Sequence, residues 1–126
     1  MEDLIPGSNA PRDVRGEMNA LWLAAKLKGG ELKDPFRPFE QVSAMYRGIG
    51  GSKTELADIV LGEWVLADDE ARRFDAVALI REFRVTAATP SLYELTNRLA
   101  QSDDPGAPFE HEKVKRLLSE LEAMPS

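Results

Sequence analysis

Glu110-His111-Glu112-Lys113-Val114-Lys115-Arg116-Leu117-Leu118-Ser119-Glu120-Leu121-Glu122-Ala123 decides the fold class. Val114, Leu117, Leu118, Leu121 and Met124 recur at spacings of three and four, which lines them along one face of an α-helix. Neither Gly nor Pro interrupts the run. Working back along the chain, Pro90-Ser91-Leu92-Tyr93-Glu94-Leu95-Thr96-Asn97-Arg98-Leu99-Ala100 carries a second stripe of Leu92, Leu95 and Leu99. Thr89 before Pro90 reads as a cap followed by proline at the first helical position, and Ser91 with Glu94 spells a competing capping box. Gln101 to Pro108, holding Asp103-Asp104-Pro105-Gly106, is a loop by composition.

Further helices follow towards the N-terminus. Ala71–Phe83 turns Phe74, Val77, Ala78, Ile80 and Phe83 inward, with Asp68, Asp69 and Glu70 placed against the positive end of its dipole. Ser52-Lys53-Thr54-Glu55 spells a capping box that opens a helix with Leu56, Ile59, Val60 and Trp64 on one face. Phe39, Val42, Met45, Tyr46 and Ile49 form a shorter pattern behind the stiff corner Asp34-Pro35-Phe36-Arg37-Pro38, which is expected to drive Phe36 and Phe39 into the core. Asp13 is expected to cap a helix bearing Val14, Met18, Leu21, Trp22, Ala25 and Leu27, stopped at Gly29-Gly30. Ile59–Ala67 and Phe83–Ala88 are short apolar runs that pattern alone does not separate from strand.

These readings predict an all-α protein, a single compact irregular bundle of about five to six helices. Residues 1–11 read as a flexible N-terminal arm and residues 12–126 as a single helical domain. The predicted core is Leu21, Trp22, Phe39, Val42, Leu56, Ile59, Val60, Trp64, Phe74, Val77, Ile80, Phe83, Leu92, Leu95, Leu99, Val114, Leu117 and Leu121.

Composition narrows the function. The 126 residues carry 16 basic and 22 acidic side chains, net −6, which argues against wholesale attraction to nucleic acid or anionic lipid. There is no cysteine and one histidine, so disulfides, thiolate catalysis and Cys- or multi-His metal cages are ruled out. Apolar stretches such as Leu21–Ala25 and Ile59–Leu61 fall far short of the roughly 18 residues that cross a bilayer. The N-terminus Met1-Glu2-Asp3-Leu4-Ile5-Pro6 does not spell a signal peptide, and a cytoplasmic location is expected.

Short motifs resolve into structure. Arg47-Gly48-Ile49-Gly50-Gly51-Ser52-Lys53-Thr54 fails the phosphate-loop spacing, because Ser52 stands where the final glycine belongs and a helix pattern precedes it. Asp68-Asp69-Glu70 and Asp103-Asp104 lack calcium-loop spacing and read as a cap and a turn. Pro35-Phe36-Arg37-Pro38 meets the minimal PxxP spelling, yet a corner accounts for it. His111 reads as an exposed residue of a first helical turn. No catalytic residue, cofactor site or metal site is assigned.

The Pro90–Ala100 segment resembles the positioning helix of bacterial winged-helix regulators, and that resemblance implies that Lys113, Lys115 and Arg116 of the next helix reach DNA. Two features oppose it: the connection from Gln101 to Phe109 is long for the motif, and residues 81–126 carry six positive and eight negative charges. Residues 12–53 are net +3 and residues 54–80 net −5, an asymmetry able to steer a charged protein partner. The function expected from the residues is therefore a non-catalytic intracellular adaptor, regulator or inhibitor that binds another protein. A winged-helix-like DNA binder and a small enzyme with an unrecognised carboxylate site are the alternatives.

Overall fold

A computed structural model describes residues 10–50 and 52–123. The protein is all-α: the described residues form six α-helices and a single 3₁₀ turn, with no strand among them. The helices are α1 (Ala10–Leu32), α2 (Arg37–Gly48), α3 (Ser52–Val65), α4 (Glu70–Phe83), α5 (Thr89–Ala100) and α6 (Ala107–Glu122), and the 3₁₀ turn is Thr86–Ala88. Both ambiguous apolar runs are helix or turn. Contacts divide the chain into two compact units, Met1–Val60 and Leu61–Ser126.

In the first unit α1 packs on α2. Val14, Met18, Trp22 and Ala25 are buried at spacings of four, four and three, whereas Leu27, expected on the same face, is 74% exposed on the opposite side. Each large aliphatic side chain buried in this way adds about 1.5–3 kcal/mol of apolar transfer. Of the predicted arm, residues 1–9 lie outside the described residues, while Ala10 and Pro11 are already helical. The start at Ala10 displaces the expected Asp13 cap, because Pro11 is tolerated in a first turn. At the other end the helix runs through Gly29-Gly30 instead of stopping there. Lys33 adopts the left-handed conformation, with φ 57°. Asp34 N–H then donates to Gly29 O at 2.7 Å and Lys33 N–H to Gly30 O at 3.4 Å, the two backbone bonds of a Schellman closure.

The corner that follows leaves Phe36 68% exposed, contrary to the sequence reading, and buries Pro38 instead. The Asp34 carboxylate accepts from Phe36 N–H at 3.2 Å, an Asx turn that points the ring outward at the start of α2. On α2, Val42 and Ser43 are buried and Phe39 is half-buried. Tyr46 Oη donates to Asp58 Oδ1 of α3 at 2.6 Å, and burial together with that bond pushes the Tyr46 phenol well above its ordinary range. The Ser43 hydroxyl is buried without a hydrogen-bond partner. Its replacement by alanine removes an unpaired polar group and improves helix propensity. Ser43→Ala is therefore expected to stabilise the protein by about 1 kcal/mol, read as a raised Tm. A Tm at or below that of the wild type rejects this account.

On α3 the buried positions are Ala57 and Val60 in the first unit and Leu61, Trp64 and Val65 in the second. Ile59, expected in the core, is 54% exposed. The inward stripe thus starts at Ala57, where i, i+3, i+4, i+7 and i+8 all fall on one face, and Ile59 points away from it. The side chain of Ser52, half of the expected capping box, lies outside the described residues.

The second unit is built by α4, α5 and α6, with α6 in contact with both of the others. Leu79, Ile80, Leu92 and Val114 are fully buried at its centre. Asp69 caps α4, its carboxylate accepting from Ala71 N–H at 3.0 Å. Arg84 closes the helix in the left-handed conformation, with Val85 N–H donating to Ile80 O at 3.0 Å. Phe74 was expected in the core and is 43% exposed, because Ala76, Leu79 and Ile80 face inward instead.

The starts of α5 and α6 also differ from expectation. Thr89 does not cap α5; its hydroxyl donates backward to Thr86 O at 2.7 Å, and Ala88 occupies the cap position. Helix α6 starts at Ala107, three residues before Glu110, and shortens the preceding connection to Gln101–Gly106. There Asp104 accepts from Gly106 N–H at 2.9 Å, setting the turn, and Pro108 sits in the first helical turn where its lack of an N–H is harmless.

Candidate protein-docking face

The early start of α6 determines what the second unit buries and exposes. Glu110 falls in line with Ala107, Val114, Leu117, Leu118 and Leu121 and is 4% exposed. A carboxylate at such a position needs a partner of opposite charge and saturated hydrogen bonding. Arg73 of α4 supplies both: Nε donates to Glu110 Oε2 at 2.8 Å and Nη2 to Oε1 at 3.1 Å, a fork-to-fork pair. Its remaining terminal nitrogen, Nη1, donates to Ala67 O and Asp68 O, both at 3.0 Å, so one guanidinium ties α6, α4 and the α3–α4 connection together. The hydrogen bonds to Glu110 raise the Arg73 pKa above its ordinary value against the opposing effect of burial. Arg73 therefore keeps its charge throughout the accessible pH range. Glu110 is buried and Arg73 half-buried, both are engaged, and the chemistry of the pair is that of a staple.

Beside it lies the exposed face. Phe109 precedes Glu110 and is 76% exposed; Phe74 follows Arg73 on the facing helix. Lys113, one turn beyond Phe109, holds its ammonium 5.5 Å from the centre of the Phe74 ring, a cation–π contact across α4 and α6. Arg116 continues the line, since residues 109, 113 and 116 are spaced to share one side of a helix. Farther along, Arg81 Nη2 donates to Glu120 Oε2 at 3.0 Å. The result is two partly bare aromatic rings, Phe74 held against Lys113 and Phe109 one turn before that lysine on α6.

The three sequence-predicted DNA contacts divide around this face. Lys113 and Arg116 lie on its side of α6, and Lys115 is exposed about 160° around the axis from Lys113. Glu112 is exposed between those two lysines, and Glu122 accepts from Tyr93 Oη of α5 on the far flank. Helix α6 thus presents two separate cations to one side and one to the other. His111 is half-buried.

Two of the clustered carboxylates have local structural roles, Asp69 capping α4 and Asp104 shaping the turn before α6, while Asp68 contributes its backbone carbonyl to Arg73. Among the described residues no group of three or more acidic or histidine side chains is arranged to hold a metal ion. No helix among them is long and apolar enough to cross a membrane. The phosphate-loop look-alike is preceded by α2, and its Gly51 lies outside the described residues.

A second apolar surface belongs to the first unit. Leu23 and Leu27 are exposed one turn apart on α1, opposite Met18 and Trp22. The cations beside them are engaged, Lys26 over the Trp22 ring and Lys28 with Glu31 at 3.5 Å.

Comparison with protein-family models, curated proteins and solved structures finds no match to the chain. The site therefore rests on its own chemistry. Sequence reasoning missed Phe109 and Phe74 as surface residues, placing the first in a loop and the second in the core. The available signal was Asp104-Pro105-Gly106-Ala107-Pro108, which spells a turn and a proline-tolerant helix start.

Proposed function

We propose that this chain is a non-catalytic, cytoplasmic helical adaptor, regulator or inhibitor that docks another protein on the α4–α6 face of its second unit. The carrying observation is the exposure of Phe109, one helical turn from Lys113, whose ammonium lies over the exposed Phe74 ring of α4. A phenyl ring left 76% exposed gains apolar burial only when something covers it, and aromatic anchors supply much of the energy of protein interfaces. The rigid backing favours this use. Arg73 and Glu110, the residues next to Phe74 and Phe109, are locked together, so the rings are presented by helices that are already ordered and binding costs little conformational entropy.

The test is Phe109→Ser. Because the ring is exposed, stability should stay within about 0.5 kcal/mol of the wild type. Proteins that co-purify with the tagged wild-type chain from its native host should be lost or weakened about tenfold or more. Equal recovery by the two chains removes this face as the docking site.

A further inference from the structure

We infer that the segment docked on the α4–α6 face is acidic and amphipathic, an apolar side chain flanked by carboxylates on a partner protein, an inference that rests on the docking role proposed above. Charge complementarity around the bare rings favours such a segment. Lys113 and Arg116 stand on the same side of α6 as Phe109. Among the described residues neither cation is in an ion pair; Lys113 has the Phe74 ring on one side, and Arg116 is exposed. Of the nearby acids, Glu110 belongs to Arg73 and Glu120 to Arg81, while Glu112 stands one turn before Arg116 without forming an ion pair with it.

At the opposite end of the face, Glu70 and Asp104 lie close to Gly106. The strip therefore runs from negative, past Phe109 and Phe74, to positive at Lys113 and Arg116. An apolar side chain lying on the rings brings carboxylates beside it within reach of both cations, whose attraction grows as water is displaced. A basic segment loses this pairing and leaves the cations against like charge. Nucleic acid is the poorer occupant, because two phosphate contacts release few counterions and residues 81–126 are net negative.

The experiment is selection of random peptides displayed on phage against the full chain, against Phe109→Ser and against the double variant Lys113→Glu/Arg116→Glu, each first shown by thermal melting to be folded. Wild-type selections should enrich peptides that combine Leu or Phe with Asp or Glu and bind at least about tenfold more weakly to both variants. The charge-reversed variant should enrich peptides carrying Lys or Arg. If Phe109-dependent peptides emerge without excess negative charge, docking stands and the acidic inference is overturned. If no enriched peptide depends on Phe109, the docking reading itself fails. A single-stranded oligonucleotide that binds the wild type more tightly than the selected peptides, and is lost in the charge-reversed variant, overturns the inference in favour of nucleic acid.

Discussion

Glu110→Ala is expected to cost about 3–5 kcal/mol of folding stability, the largest single effect in the second unit. Arg73 is 16% exposed at its side chain, and the substitution takes away both carboxylate acceptors, leaving Nε and Nη2 unpaired next to an apolar helix face. The two carbonyls that hold Nη1 keep the guanidinium where it is, so it cannot escape to water without giving them up as well. Glu110→Gln retains one acceptor and most of the shape, and should cost less than the alanine. Replacing both partners by apolar residues, Arg73→Met with Glu110→Leu, should cost less than Glu110→Ala, because the penalty comes from the stranded charge more than from the loss of attraction. Denaturant unfolding of the four chains measures the cycle. A Glu110→Ala variant within about 1 kcal/mol of the wild type would mean that the pair is solvated and is not the staple described here.

The same residue marks where sequence reading succeeded and where it stopped. The stripe Val114, Leu117, Leu118, Leu121 is legible because several apolar side chains repeat at helical spacing, and the helix is present with that face inward. Extending the stripe backward by one turn lands on Glu110 and Ala107, an acidic and a small residue that hydrophobic periodicity does not register. The charge reads as surface unless its partner is known, and Arg73 lies 37 residues away in the chain. Long-range pairing of this kind leaves no local trace. Phe74 failed in the opposite direction: an aromatic at helical spacing reads as core, yet α4 needs only the narrow face of Ala76, Leu79 and Ile80 to fill its side of the second unit. The candidate face consists of those two misreadings, a phenylalanine taken for core and another taken for loop, so the helices were legible while the surface that they expose was not.

Gly29→Val is the second large effect, an expected loss of about 1–3 kcal/mol from overpacking where the chain turns back on α1. Gly29-Gly30 looks like a helix stop, yet the two glycines differ physically. A Cβ on Gly30 meets nothing within 4 Å, whereas one on Gly29 falls 2.5 Å from the carbonyl oxygen of Asp34 and 3.3 Å from Cβ of Arg37. The nearer atom is backbone, and the Asp34 N–H donates to the Gly29 carbonyl, so the clash cannot be relieved by rotating a side chain without loosening the closure that returns the chain into α2. Even Gly29→Ala meets this contact, and its gain in helix propensity, about 1 kcal/mol at an open helical site, should be cancelled or reversed. Gly30→Ala meets no contact and should keep most of that gain, because Gly30 is exposed within α1. The pair of alanine variants is therefore the sharper comparison: thermal melting should place Gly30→Ala above the wild type and Gly29→Ala at or below it. Equal Tm values for the two would show that the approach of Asp34 to α1 is not what requires glycine at position 29, and that the corner is set by Lys33 and the Asp34 turn alone.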